Sequence, residues 1–229
     1  MATWSDFFEH FDWLGLCVFL FSAAAALLCI TLHELSHGFA AYRLGDMTAK
    51  NAGRLTFNPI KHIDVVGLLM MVTVHVGWAK PVPINMRNFK HPKRDMAITA
   101  LAGPLSNFAL AAVALAVGSV FMAFLPVDTV PRAMFVLALM YIAVLSTGLG
   151  VFNLIPIPPL DGSKILLSFL PDRICYTVLR YERYIGLAML ALIWLGALDG
   201  VLDVLMGGVL RGLCFVTRFP FEMLDYYFF

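Results

Sequence analysis

Long apolar runs alternate with short basic or proline-bearing stretches along this chain, and the lengths of the runs predict its elements. Leu14 to about Tyr42 is apolar over about 29 residues, which as one helix reaches about 43 Å and exceeds a hydrocarbon core of about 30 Å. Arg43 to Asp64 is polar, with Arg43, Lys50, Arg54 and Lys61 and turn signals at Gly45-Asp46, Gly53 and Asn58-Pro59, so it reads as a loop. Val65 to Trp78 is apolar over only about fourteen residues, too short to span as a helix, and fits a segment that dips into the membrane and returns. Met96 to Leu125 and Arg132 to Phe152 are the next two spans, joined by the short loop Pro126 to Pro131. Tyr184 to Val216 is apolar except for Asp199, Asp203 and Arg211 and reads as one interrupted span or as a span plus an interfacial helix. The terminal Tyr226-Tyr227-Phe228-Phe229 reads as an interfacial aromatic anchor. The expected fold class is therefore an all-α polytopic membrane protein with about four transmembrane helices and a short re-entrant hairpin near residues 65–83.

Composition agrees, because hydrophobic residues make up 61% of the chain and charged residues 14%, against about 45–50% and 25% in soluble domains. Of the 16 lysines and arginines, 13 lie in residues 43–64, 80–95 and 164–183. Positive charge collects on the cytoplasmic side of membrane proteins, so these stretches are expected inside, with the N-terminus outside. Both flanks of the fourteen-residue run are basic, which is why that run is read as returning to the side it left. Residues 1–13 carry Asp6, Glu9 and Asp12 without a lysine or arginine, and no small-residue cleavage site follows, so no removable signal peptide is expected. The 4 cysteines fall in no metal-binding or redox spacing. A net charge of +1 argues against a nucleic-acid partner. Without a repeat or a loop long enough for a soluble unit, residues 1–229 read as a single integral-membrane domain.

Candidate chemistry enters at Thr31 to Phe39, TLHELSHGF. On a helix His33 and His37 share one face, and imidazoles on adjacent turns can bind one metal ion. Glu34 lies beside them and can reach a water held in an open coordination position. The plain alternative is two helix-face histidines hydrogen-bonded inside a core. An ionisable group deep in an apolar helix is costly, however, and a bound cation is the simplest compensation. Further along, Pro156, Pro158 and Pro159 forbid a regular helix after Asn153, and unwound backbone at membrane depth is tolerated only where it lines a protein cavity. That stretch delivers Asp161, a carboxylate that completes a two-histidine, one-carboxylate set with a fourth position left for water. Gly103-Pro104-Leu105-Ser106-Asn107 also needs a reason in lipid. Either Pro104 opens a local break where Asn107 faces a polar cavity, or the helix is kinked and Asn107 bonds a neighbouring helix. Asp199 and Asp203 share a helix face, where exposure near the membrane surface is the simpler account than a second metal or proton site.

Three motifs in one order, HELSH at 33–37, AGPLSN at 102–107 and NLIPIPPLDG at 153–162, make the chain resemble the site-2 protease family of zinc-dependent intramembrane proteases. GRLTFNPIKHID at 53–64 and GWAKPVPIN at 77–85 also look like its compact members, which lack PDZ and CBS domains. The resemblance implies one Zn2+ per chain held by His33, His37 and Asp161, Glu34 as the catalytic carboxylate, and Asn107 and Asn153 beside the metal as alternative substrate or oxyanion contacts. It implies a transmembrane protein or peptide as substrate, cleaved in the cytoplasmic half of the cell membrane, and a hairpin at about Val65 to Pro83 offering a β edge to it. It specifies no oligomeric state. The competing class is a polytopic metal or proton transporter using the same residues. That class is expected to show repeats or paired broken helices, and neither is evident.

Overall fold

The computed structural model describes residues 12–67 and 79–229. The first helix, α1, runs Trp13–Arg43, close to the extent its apolar run predicts, with the Asp12 carboxylate accepting the Gly15 N–H at 2.8 Å. It closes at Gly45, whose φ of +108° suits glycine and lets the Asp46 N–H reach the Ala41 carbonyl at 2.9 Å. Asp46 is thereby folded under the end of α1 and fully buried. A short helix, α2 (Thr48–Asn51), and two 3-10 turns, Pro59–His62 and Met86–Asn88, organise the polar connection.

Two long helices follow, α3 (Pro92–Phe124) and α4 (Val130–Asn153). Helix α3 lies at the centre of the molecule, packed against α1, α4, α8 (Asp199–Thr217) and the short α5 (Asp161–Ser168). Pro104 does not break it: the helix continues through, and Asn107 bonds a neighbouring helix, with Ser146 Oγ donating to the Asn107 carbonyl at 2.9 Å and Asn107 Nδ2 to the Ser146 carbonyl at 3.4 Å. The main core lies away from the polar motifs, where Ala111, Ala114 and Leu115 of α3 meet Val136, Met140 and Ala143 of α4 and Leu210 and Cys214 of α8. Alanines at such a crossing let backbones approach closely, which is how helices pack when lipid supplies no hydrophobic drive.

The apolar run from Tyr184 divides at Gly196 (φ +68°) into α7 (Glu182–Trp194) and α8, of which only α8 is long and apolar enough to cross a membrane. With α1, α3 and α4 it makes four such helices among the described residues. Helix α6 (Asp172–Arg180) precedes α7, and Asp199 and Asp203 are both exposed. The C-terminal tail, expected as an interfacial anchor, packs in part on the core. It forms α9 (Phe221–Phe228), which folds back so that Leu224 is fully buried in the core and Phe228 stacks edge-on against Tyr141 at 4.9 Å, while Tyr226 and Tyr227 stay exposed.

The body of the expected re-entrant hairpin lies outside the described residues. Its ends are described and lie side by side: Ile63 pairs with Ala79 in an isolated antiparallel bridge, and the Lys80 N–H donates to the His62 carbonyl at 2.9 Å. The expected β edge is not supported, because the described residues contain no strand beyond this bridge, and residues 65–67 begin a helical turn tied by the Gly67 N–H to the Asp64 carboxylate.

Candidate metal centre

Four residues apart on α1, His33 and His37 present both imidazoles to one point, with ring centroids 4.6 Å apart. Asp161 reaches that point from the first turn of α5. The proline-broken stretch after Asn153 doubles back, and Gly162 packs directly on the Leu154 and Ile155 backbone, where any side chain would collide. This close approach, rather than turn-forming ability, is what the Asp-Gly pair requires. His37 Nε2 lies 2.9 Å from Asp161 Oδ2 and 3.0 Å from His33 Nε2, and His33 Nε2 lies 3.1 Å from the same carboxylate oxygen. All three residues are buried.

The hydrogen bonds around this cluster decide what it can hold. His37 Nδ1 lies 2.7 Å from the Thr99 carbonyl, which can only accept, so Nδ1 carries the proton. In a neutral ring His37 Nε2 is then a bare lone pair facing a carboxylate oxygen and a second imidazole nitrogen at about 3 Å. His33 Nε2 faces the same oxygen, as a third lone pair when its ring proton is on Nδ1 and as a donor to Asp161 when the proton is on Nε2. A proton relieves one contact, whereas a divalent cation satisfies all three, and two nitrogens with one oxygen is a donor set that suits zinc and leaves a coordination position open. The Thr99 carbonyl fixes the tautomer and ring orientation that such a ligand needs. Lys164 Nζ bonds the other Asp161 oxygen at 2.9 Å.

Gly103 of α3 seats the pair of rings. A Cβ there would lie 2.5 Å from His37 Cε1 and 2.8 Å from His33 Cε1, and closer still to His37 Nε2. In the sequence Gly103 stands out only as a glycine in an apolar helix, and nothing there points to the Thr99 carbonyl or to Lys164. A backbone acceptor leaves no mark in a sequence. Lys164 was visible only as one basic residue among several.

Beside the cluster is a cavity of about 460 Å³, within the range of ligand sites. Ala23, Ala26, Leu27 and Ile30 form its wall along one face of α1, Leu149, Phe152 and Asn153 close it from α4, and His33, Glu34 and His62 stand at the polar end. The Glu34 carboxylate accepts the Val82 N–H at 2.7 Å. The two asparagines separate: Asn153 lines the cavity and donates to the Leu149 carbonyl at 2.9 Å, whereas Asn107 is fully buried at the α3–α4 contact.

Fold and site together define a membrane-embedded metalloprotease, and the chain belongs to Peptidase family M50, whose model matches residues 21–196. It is 34% identical over 196 residues to "Putative zinc metalloprotease YwhC" of Bacillus subtilis, covering 77% of this chain and 81% of that protein. It is 31% identical over 149 residues to "Putative zinc metalloprotease Rip2" of Mycolicibacterium smegmatis, covering 63% of this chain and 55% of that one. No solved structure matches. The protein is thus a multi-pass intramembrane zinc metalloprotease of the site-2 type, acting on membrane-protein substrates in a lipid bilayer, and the transporter alternative is not favoured.

Proposed function

We propose that His33, His37 and Asp161 hold one zinc ion and that Glu34 is the acid–base residue of peptide hydrolysis, within a single domain spanning residues 1–229. The observation that carries this reading is the meeting of two buried imidazole nitrogens and a carboxylate oxygen at about 3 Å, with Glu34 and His33 lining the cavity beside them. When bound, zinc supplies Lewis-acid activation of a water and of the scissile carbonyl. Glu34, one oxygen engaged by Val82, offers the other to take a proton from the attacking water and return it to the leaving amine. Asn153 Nδ2 is the amide donor at the cavity and the better placed of the two asparagines to meet the developing oxyanion, while Asn107 ties α3 to α4.

The apolar wall from Ala23 to Ile30 seats the membrane-buried part of a transmembrane substrate, and the polar end receives its unwound scissile segment. Backbone amides of an intact helix are internally bonded, so the substrate unwinds locally before cleavage. The basic stretches support an orientation with the C-terminus of α1, the start of α3 and the end of α4 on the cytoplasmic side of the cell membrane and the N-terminus outside. The test is cleavage of a transmembrane peptide by the purified protein in liposomes. Activity is expected to vanish with a chelator and return with zinc; chelator-resistant cleavage would contradict the assignment.

A further inference from the structure

The Glu34 carboxylate is fixed by a backbone donor from a distant part of the chain, and that donor sits on a segment held at both ends by buried polar side chains. Residues 80–85 belong to no helix or strand and meet α1 through Val82. At one end the buried Arg54 guanidinium donates to the Lys80 carbonyl at 2.7 Å and the Lys80 N–H is spent on the His62 carbonyl. At the other, the fully buried Asp46 carboxylate accepts the Asn85 N–H at 2.7 Å and Asn88 Nδ2 at 2.7 Å. Between the two ends the Val82 side chain rests on Gly38, one turn beyond Glu34 on α1, where a Cβ would lie 2.6 Å from Leu55 and 3.1 Å from Val82. Pro81 and Pro83 flank Val82 and carry no N–H, so within this triplet only Val82 can donate.

Resting on the proteolytic reading above, we infer that the Val82 N–H positions the Glu34 carboxylate for proton transfer, and that Asp46 and Arg54 are positioning residues acting through the 80–85 segment. A glutamate side chain has three rotatable bonds, and one fixed donor to one oxygen removes most of that freedom while leaving the second oxygen for water. The donor touches neither a metal ligand nor the cavity wall assigned to the substrate, so its loss is expected to slow turnover while leaving binding intact.

The experiment replaces the Val82 amide by an ester, using the α-hydroxy analogue of valine in cell-free synthesis, with Val82→Ala and Asp46→Asn made alongside. Zinc content, kcat and KM on a transmembrane peptide are measured for each in liposomes. The ester chain keeps the side chain and loses only the N–H, and kcat is expected to fall about 10- to 100-fold, the usual effect of a hydrogen bond to a charged group. KM and zinc content are expected to stay within about twofold, and the ester's loss to exceed that of Val82→Ala by about tenfold. Asp46→Asn is expected to lower kcat in the same selective way. A wild-type kcat in the ester chain overturns the inference, as does an equal loss in Val82→Ala. Should the ester chain not take up zinc, Asp46→Asn decides alone, a wild-type kcat there overturning the inference. Failure of the wild-type protein to cleave at all would instead overturn the proteolytic reading.

Discussion

Replacing Gly103 by alanine adds one methyl group at the place where α3 supports both histidine rings. The new Cβ would stand 2.5 Å from His37 Cε1, about 0.9 Å short of ordinary contact at 3.4 Å, and 2.8 Å from His33 Cε1. His37 cannot swing away freely, because its Nδ1 is held at 2.7 Å by the Thr99 carbonyl and its ring is buried. Either α3 retreats from α1 or the imidazoles leave their common point. Overpacking of this kind costs about 1–3 kcal/mol, and if that cost falls on the metal-competent arrangement it weakens zinc binding by about 5- to 150-fold. Affinity is read by competition with a chromophoric chelator, and cleavage of a transmembrane peptide is followed on the same samples with zinc in excess. Gly103→Ala is expected to bind zinc more weakly by that factor, with Gly103→Ser no better. Zinc affinity and cleavage both equal to wild type would refute the reasoning that Gly103 seats the ligands.

His33→Ala and Asp161→Ala are each expected to lower zinc content from one ion per chain to near zero, measured by elemental mass spectrometry on purified protein. Lys50→Cys and Lys90→Cys are expected to react with membrane-impermeant thiol reagents only from the cytoplasmic side, in cysteine-free protein; labelling from outside alone would reverse the orientation. Asp46 gives a pH signature: burial opposes its charged form, but donors from Asn85, Thr48 and Asn88 hold its pKa below the ordinary 3.8. A depressed carboxyl contributes stability that is fully present above its unfolded value and lost as pH falls through the lower folded one. Melting curves in detergent are expected to show wild-type protein losing its advantage over Asp46→Asn below about pH 4.

Much of the site was legible because its chemistry rides on side chains at regular spacing. HELSH places two imidazoles on one helix face whatever surrounds it, and three prolines after Asn153 forbid helix and so mark the stretch that brings Asp161 back. Run lengths gave α1, α3 and α4 nearly to their ends. What the sequence withheld is mostly backbone. The Thr99 carbonyl and the Val82 N–H belong to residues whose side chains carry no signal of the role. Gly103 was visible as a glycine in lipid, but only packing names its neighbours. The run from Tyr184 was ambiguous because hydropathy does not register the left-handed turn at Gly196 that splits it, and the aromatic tail read as an anchor because composition does not reveal that Leu224 and Phe228 find the core.

The central claim is that Glu34 performs proton transfer beside the metal without holding it, and Glu34→Gln tests it most directly. The amide keeps the size of the side chain and can still accept the Val82 N–H, but it cannot take a proton from water. Zinc content and cleavage of a transmembrane peptide in liposomes are measured on the same preparation. Zinc is expected to remain at one ion per chain while kcat falls by about 10²- to 10⁴-fold, the usual contribution of general acid–base catalysis. Cleavage at the wild-type rate by zinc-loaded Glu34→Gln would contradict the account.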